Sequence, residues 1–156
     1  MIITVHNSQK DLSISVANLK KMIPFLLEKL AIHTDEVILH FVTKSKMSKV
    51  HKLFFNDPSP TDCMSFPLDK PSPKKSITEH LILGEVFICP QIAIEYAKKK
   101  NLDPYLETTL YIIHGLLHLL GYDDLDPIPR KEMRKMEKKC LALVDSFSIK
   151  PKKILS

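Results

Sequence analysis

Apolar residues change their spacing repeatedly along the chain, and each change marks an expected element. Residues 2–6 read as a short strand, and Ser13 or Ser15 suits the N-cap of an amphipathic helix running to about Ile32, with a kink at Pro24. Residues 36–43 alternate and then turn apolar, the pattern of a strand buried on at least one face. Ser45 is expected to cap a helix whose Met47, Val50, Leu53 and Phe54 fall at helical spacing, and Asn56-Asp57-Pro58-Ser59-Pro60 stops it near Phe55. Residues 62–66 and 85–89 are the next strands, the second introduced by Gly84, and Pro90 opens a helix to about Lys100. Asp103-Pro104 is an N-cap acid followed by a first-turn proline, and Gly121 is a stop. The helix between them is apolar nearly all round, which places it at the centre of the fold. A last helix spans about residues 129–146 with a charged outer face. The expected fold class is α+β, a mixed four-stranded sheet packed with helices, with one domain over residues 1–149 and a flexible basic tail over 150–156.

Composition fits one soluble domain: 156 residues, 44% hydrophobic and 26% charged. The polar N-terminus lacks a secretion signal, and the most apolar stretch, residues 111–122, is far short of the ~20 residues a bilayer requires. A cytoplasmic protein without a membrane partner is expected. Cys63, Cys89 and Cys140 are far apart and in no C-x-x-C pattern, so they read as small buried hydrophobes. The net charge of +5 is concentrated at the C-terminus, where residues 127–156 hold nine Lys/Arg against three Asp/Glu. Such a run is either a solvated helix face or an electrostatic footprint for RNA phosphates. The segment 69–76, rich in Pro, Lys and Ser, reads as a flexible surface loop.

The chemistry is concentrated in His114-Gly115-Leu116-Leu117-His118-Leu119-Leu120-Gly121-Tyr122-Asp123-Asp124. Residues four apart on a helix share a face, so two imidazoles at 114 and 118 can converge on one ion. A left-handed turn at Gly121 brings Asp124 back towards them, the spacing of zincin-like sites with Asp in the last slot. Asp123 and Asp126 are alternative third ligands. Two lone core histidines would each need other partners for both ring nitrogens, whereas one ion satisfies two nitrogens at once. Two nitrogens and a carboxylate suit Zn²⁺ best, then Ni²⁺, Co²⁺ or Fe²⁺, and suit Mg²⁺ or Ca²⁺ poorly. Three protein ligands leave a fourth position for a Lewis-acid reaction. A metallopeptidase of this spacing would carry Glu as general base where this chain has Gly115; Asp62 or Glu85 are the remaining candidates for that role.

Three stretches together resemble one family. His114-Gly115, Leu117-His118-Leu119 and Gly121-Tyr122-Asp123 match the H-G-x-L-H-L-x-G-Y-D-H signature of the YbeY family. Pro60-Thr61-Asp62-Cys63-Met64-Ser65-Phe66-Pro67 is similar to its P-T-[DN]-V-L-S-F-P stretch, and Leu83-Gly84-Glu85-Val86-Phe87-Ile88-Cys89 to its L-G-D-I-x-I-C stretch. The resemblance implies a mixed-sheet α+β fold, a zinc-type metal, and single-strand endoribonuclease activity in ribosomal RNA maturation and ribosome quality control. It further implies ribosomal RNA, the ribosome or small-subunit assembly factors as partners. Catalysis would run through the metal on His114 and His118, with the base unassigned. Thr61, Asp62 and Ser65 would line the cleft.

Two departures stand out. The family's third ligand is His where this chain has Asp124, and its Arg five residues before the Pro is Phe55 here. Lys49, His51 or Lys52 are the nearby groups able to replace part of that phosphate clamp. Tyr122, beside the turn, reads as packing rather than as an acid. The other reading of these departures is a non-catalytic ribosome-assembly factor with a structural metal.

Overall fold

The computed structural model describes residues 1–72 and 78–152. In β2 (Glu36–Phe41) Val37, Leu39 and Phe41 are fully buried while Glu36, Ile38 and His40 are half-exposed, the two-residue period of a strand with one face in the core. β1 (Ile2–Asn7) and β4 (Ile82–Ile88) pair with β2 in parallel on either side, and β3 (Cys63–Pro67) closes the far edge antiparallel to β4. The sheet order is β1-β2-β4-β3, the mixed four-stranded sheet that the sequence led us to expect.

One face of this sheet carries the main core. Ile3, Val37, Leu39, Phe41, Val86 and Ile88 meet α1 (Val16–Lys29), α4 (Pro104–Leu119) and α5 (Pro127–Leu143) there. Helix α2 (Lys44–Phe55) lies against the opposite face, where Met47 and Val50 cluster with Met64 and Cys89 and touch Phe66 and Phe87. Helix α3 (Pro90–Lys100) packs beside α4.

Local chemistry explains most of the ends. Ser15 caps α1, its hydroxyl accepting from the Asn18 N–H at 3.3 Å, and Pro24 lies inside that helix. Asp103 caps α4, accepting from the Tyr105 N–H at 2.9 Å, with Pro104 at the first helical position. At the other end of α4, Gly121 has φ of +98° and donates to the His118 carbonyl, while Tyr122 donates to the Leu117 carbonyl, both at 3.0 Å. This pair of bonds is a Schellman turn, and its left-handed residue is the reason glycine stands there.

Several expected boundaries move. Thr43, not Ser45, caps α2, its hydroxyl accepting from the Lys46 N–H at 3.2 Å. The helix therefore begins at Lys44, two residues before the Lys46 start that a Ser45 cap would give; it buries Met47 and Val50 but leaves Leu53 and Phe54, expected on the apolar face, 77% and 59% exposed. Strand β4 begins three residues earlier than expected because Ile82 already pairs with Glu36. Helix α5 starts at Pro127 rather than 129 and ends at Leu143, since Pro is as well suited to a first turn at 127 as at 129. Beyond α5, Ile149 is buried and its carbonyl accepts from the Ser15 N–H, tying the segment to the start of α1. Ser72 pairs with His33 in an isolated bridge, while residues 73–76 of the expected loop and 153–156 of the expected tail lie outside the described residues. Cys89 and Cys140 are buried, Cys63 is half-buried, and all three thiols are free. No described helix is long and apolar enough to cross a membrane.

Candidate metal centre

The site begins with how closely α4 can approach the sheet. Gly115 faces Val86 of β4, and a Cβ there would run into the Val86 side chain. Ser65 of β3 donates its hydroxyl to the Gly115 carbonyl at 2.9 Å, bridging strand to helix at the same level. The position where a metallopeptidase would place its glutamate is thus filled by close helix–sheet packing. Glu85, next to Val86, projects to the other face of the sheet and binds His40 at 2.8 Å.

With α4 seated this way, His114 and His118 share one face near its C-terminal end. Their Nε2 atoms stand 3.1 Å apart and the rings meet edge to face. The Schellman turn carries Asp124 back, so that one carboxylate oxygen lies 3.5 Å from His114 Nε2 and the other 3.6 Å from His118 Nε2. One ligand atom from each of the three residues lies within 4.8 Å of the others. Of the carboxylates at 123, 124 and 126, Asp124 is the one in this cluster; Asp123 accepts from the Leu125 N–H and Asp126 occupies the N-cap position of α5. All three side chains are partly open to solvent.

Three further residues hold this geometry. Glu137 of α5, 6% exposed at its side chain, lies 2.7 Å from His114 Nδ1, and Arg134 donates to both of its oxygens at 2.9 Å. A carboxylate at Nδ1 holds the proton there, leaving His114 Nε2 as a lone pair directed at His118 and Asp124. Arg130 donates to the carbonyls of Asp124 and Leu125, pinning the turn. Glu137 was not among the expected residues, but it repeats at helical spacing with buried Met133 and Cys140, and an acid on an apolar stripe is the signal that would have revealed it.

The donor set fits a divalent transition ion. A lone pair on His114 Nε2 facing a second imidazole nitrogen at 3.1 Å, beside a carboxylate, is close to one edge of a tetrahedron with metal–nitrogen bonds of ~2.0–2.1 Å, about 3.3 Å. Cys63 is not among the clustered ligand atoms, and burial, then the negative charges of Asp62, Asp124 and Glu137, push its thiol far above the usual range. The Arg134 guanidinium is raised in turn by its bonds to Glu137.

The other expected residues divide. Thr61 and Asp62 line a cleft between α3 and α4, whereas the Ser65 hydroxyl is directed at Gly115. Lys49 and Lys52 are exposed on α2, across the sheet, and no hydrogen bond or ion pair joins them to the triad. Phe55 is 57% exposed and its ring lies against His51 and Phe66. Tyr122 packs against the core.

Comparisons with known proteins agree with this architecture. A family model described as Endoribonuclease YbeY matches residues 4–145. An Endoribonuclease YbeY of Protochlamydia amoebophila is 52% identical over 128 residues, covering 81% of each chain, and one of Chlamydia caviae is 39% identical over 145 residues, covering 91% of this chain and 90% of that one. The solution structure of TM1509 from Thermotoga maritima superposes with a TM-score of 0.64 at 26% identity, over 93% of this chain and 90% of that one. Sharing its fold with that structure and its sequence nearly end to end with those relatives, the chain belongs to the YbeY endoribonuclease family.

Proposed function

We propose that this protein is a metal-dependent endoribonuclease that cuts single-stranded RNA during ribosomal RNA maturation and ribosome quality control in the cytoplasm. Its partners are then ribosomal RNA and the ribosome or small-subunit assembly factors. The observation that carries the reading is the convergence of His114 Nε2, His118 Nε2 and the Asp124 carboxylate at one point open to solvent. These three residues would hold the ion, Zn²⁺ by the chemistry of the donors, with Ni²⁺ or another divalent transition metal as the next fit. When bound, that ion supplies Lewis acidity to a phosphoryl oxygen.

The protein's own groups prepare the site. Glu137 keeps the His114 proton on Nδ1, Arg134 holds Glu137, and Arg130 holds the backbone of the turn that delivers Asp124. The carboxylate of Asp124 partly neutralises the ion, so this site should acidify a nucleophile less than the family's three-histidine set. Exposed Lys131, Lys135, Lys138 and Lys139 on α5 give the RNA phosphates an attractive surface next to Glu137 and Arg134. The general base is unassigned. Cleavage of single-stranded RNA by the purified protein, with elemental analysis of protein kept free of chelators, is the test. Equal cleavage rates for wild type and His114→Ala would refute the proposal.

Phe55 favours a second reading, an assembly factor with a structural metal, because this residue of α2 lays its ring against Phe66 of β3 and supplies no guanidinium. On that reading chelation lowers the melting temperature without changing ribosome association, and no metal-dependent RNA product forms.

A further inference from the structure

Beside the triad, α4 carries two more polar groups, Glu107 and Tyr111, for which metal binding has no use. Glu107, Tyr111, His114 and His118 follow one another at intervals of four, three and four residues, so they lie along one stripe of the helix. At the N-terminal end of this stripe a cleft of about 470 Å³ opens between α3, α4 and the loop before β3. Asp62, Ile92, Tyr96, Glu107, Leu110 and Tyr111 form its walls, and its volume is that of a small-molecule site.

Tyr111 is the informative residue. It is only 8% exposed, and its hydroxyl has no hydrogen-bond partner among the described residues. Among those residues no side-chain polar atom is sealed from solvent without a partner, so this hydroxyl reaches the cleft. A largely buried phenol kept unpaired at the wall of a cleft is a group waiting for a ligand atom. Burial, reinforced by the charges of Asp62 and Glu107, holds the phenol protonated, hence a donor. The two carboxylates are acceptors. Asp62 Oδ1 takes the Cys63 N–H and the Thr61 hydroxyl, which leaves Oδ2 free, and no donor among the described residues pairs with Glu107.

Two carboxylates repel a phosphate, so the occupant is not the RNA backbone. The walls suit a flat ring with adjacent N–H donors beside an acceptor, since Ile92, Leu110 and Tyr96 offer apolar surface, the Glu107 carboxylate has both oxygens free for two parallel N–H bonds, Oδ2 of Asp62 has room for one more, and Tyr111 donates one. Of the four RNA bases, guanine alone presents N1–H and N2–H next to O6. We infer that this cleft is a guanine subsite, holding the base of a nucleotide that flanks the phosphodiester cut at the triad. Tyr111 and His114 are three residues apart, about 4.5 Å of helix rise, so a base in the cleft keeps its own ribose and phosphate beside the imidazoles. The adjacency to a cleaved bond rests on the endoribonuclease reading; the base preference does not.

Binding of free nucleosides to the full-length protein, followed by ligand-observed NMR, tests the preference without turnover. Guanosine should bind about tenfold more tightly than adenosine, cytidine or uridine, the discrimination of one good bidentate pair, with inosine, which lacks N2, intermediate. Tyr111→Phe and Asp62→Asn should each reduce the guanosine preference while leaving the NMR spectrum of a folded protein. Equal binding of all nucleosides, or a guanosine preference untouched by both variants and by Glu107→Gln, overturns the inference. Single-guanine RNAs then separate the two ideas. Guanosine preference without cleavage removes the nuclease and keeps the subsite, whereas cleavage at sites regardless of base, with nucleosides bound alike, removes the subsite and keeps the nuclease.

Discussion

Glu137→Gln isolates the one group outside the triad that, among the described residues, bonds directly to a triad side chain. The native carboxylate is nearly buried and accepts from His114 at 2.7 Å and from Arg134 at 2.9 Å on each oxygen. The Arg134 side chain is 56% exposed, so that pair contributes at the level of a surface bridge, ~0–1 kcal/mol. The bond to His114 is buried and charge-assisted, worth roughly 1.5–3 kcal/mol. An amide of the same shape keeps one acceptor oxygen, so the metal-free protein should lose about 1–2 kcal/mol in a urea melt. Metal affinity should suffer more. Removing the charged partner of a ligating histidine costs ~10–100-fold in affinity, because the amide no longer biases the proton to Nδ1 and the Nε2 lone pair is lost for part of the time. Competition for Zn²⁺ against a chromophoric chelator measures that loss, and imidazole ¹⁵N shifts of metal-free protein report the tautomer directly. A purely structural role would change the melt and leave the tautomer alone. If the glutamine variant binds Zn²⁺ within twofold of wild type with His114 still protonated on Nδ1, the positioning argument is wrong.

Three other outcomes are expected. Gly115→Ala should destabilise the fold by ~1–3 kcal/mol through the collision with Val86, and Val86→Ala in the same chain should recover part of that, a coupling that a double-mutant cycle in denaturant would expose or exclude. Asp124→Ala should leave the metal-free melting temperature nearly unchanged, because the side chain is partly open to solvent, but should abolish most of the upward shift that added Zn²⁺ gives the wild type; an undiminished shift would mean that another ligand completes the site. Burial and then the charge of Asp62 raise the Glu107 carboxyl above its ordinary value of 4.5, so the folded state holds this proton more tightly than the unfolded one. Its contribution to stability is present below pH 4.5 and lost as pH rises through the raised value, and Glu107→Gln should flatten that part of the pH–stability curve.

Where sequence reasoning was accurate, the determining forces are short-range. The strand at residues 36–41 is legible because alternate side chains point to opposite faces, and α4 because an acid–proline start and a glycine stop act within one turn of backbone. Where it was not, the competing signals were equally local and only packing chose between them. Thr43 and Ser45 can both cap, and the packing of Met47 and Val50 against Met64 and Cys89 leaves Leu53, Phe54 and Phe55 largely exposed. The missing partner of the site, Glu137, lies 23 residues from His114 and joins it only because α5 docks on α4.

From the order of residues alone follow an α+β fold and a helix presenting two imidazoles on one face, with an acid beyond the turn, because a 3.6-residue period and a left-handed glycine are properties of the local chain. Tertiary structure alone decided that α4 presses on Val86, that Ser65 braces Gly115, that Glu137 faces Nδ1, and that Asp62 shares a cleft with Tyr111. Those contacts depend on the sheet order β1-β2-β4-β3 and on how helices from distant parts of the chain cover it, and such long-range choices leave no local spacing to read.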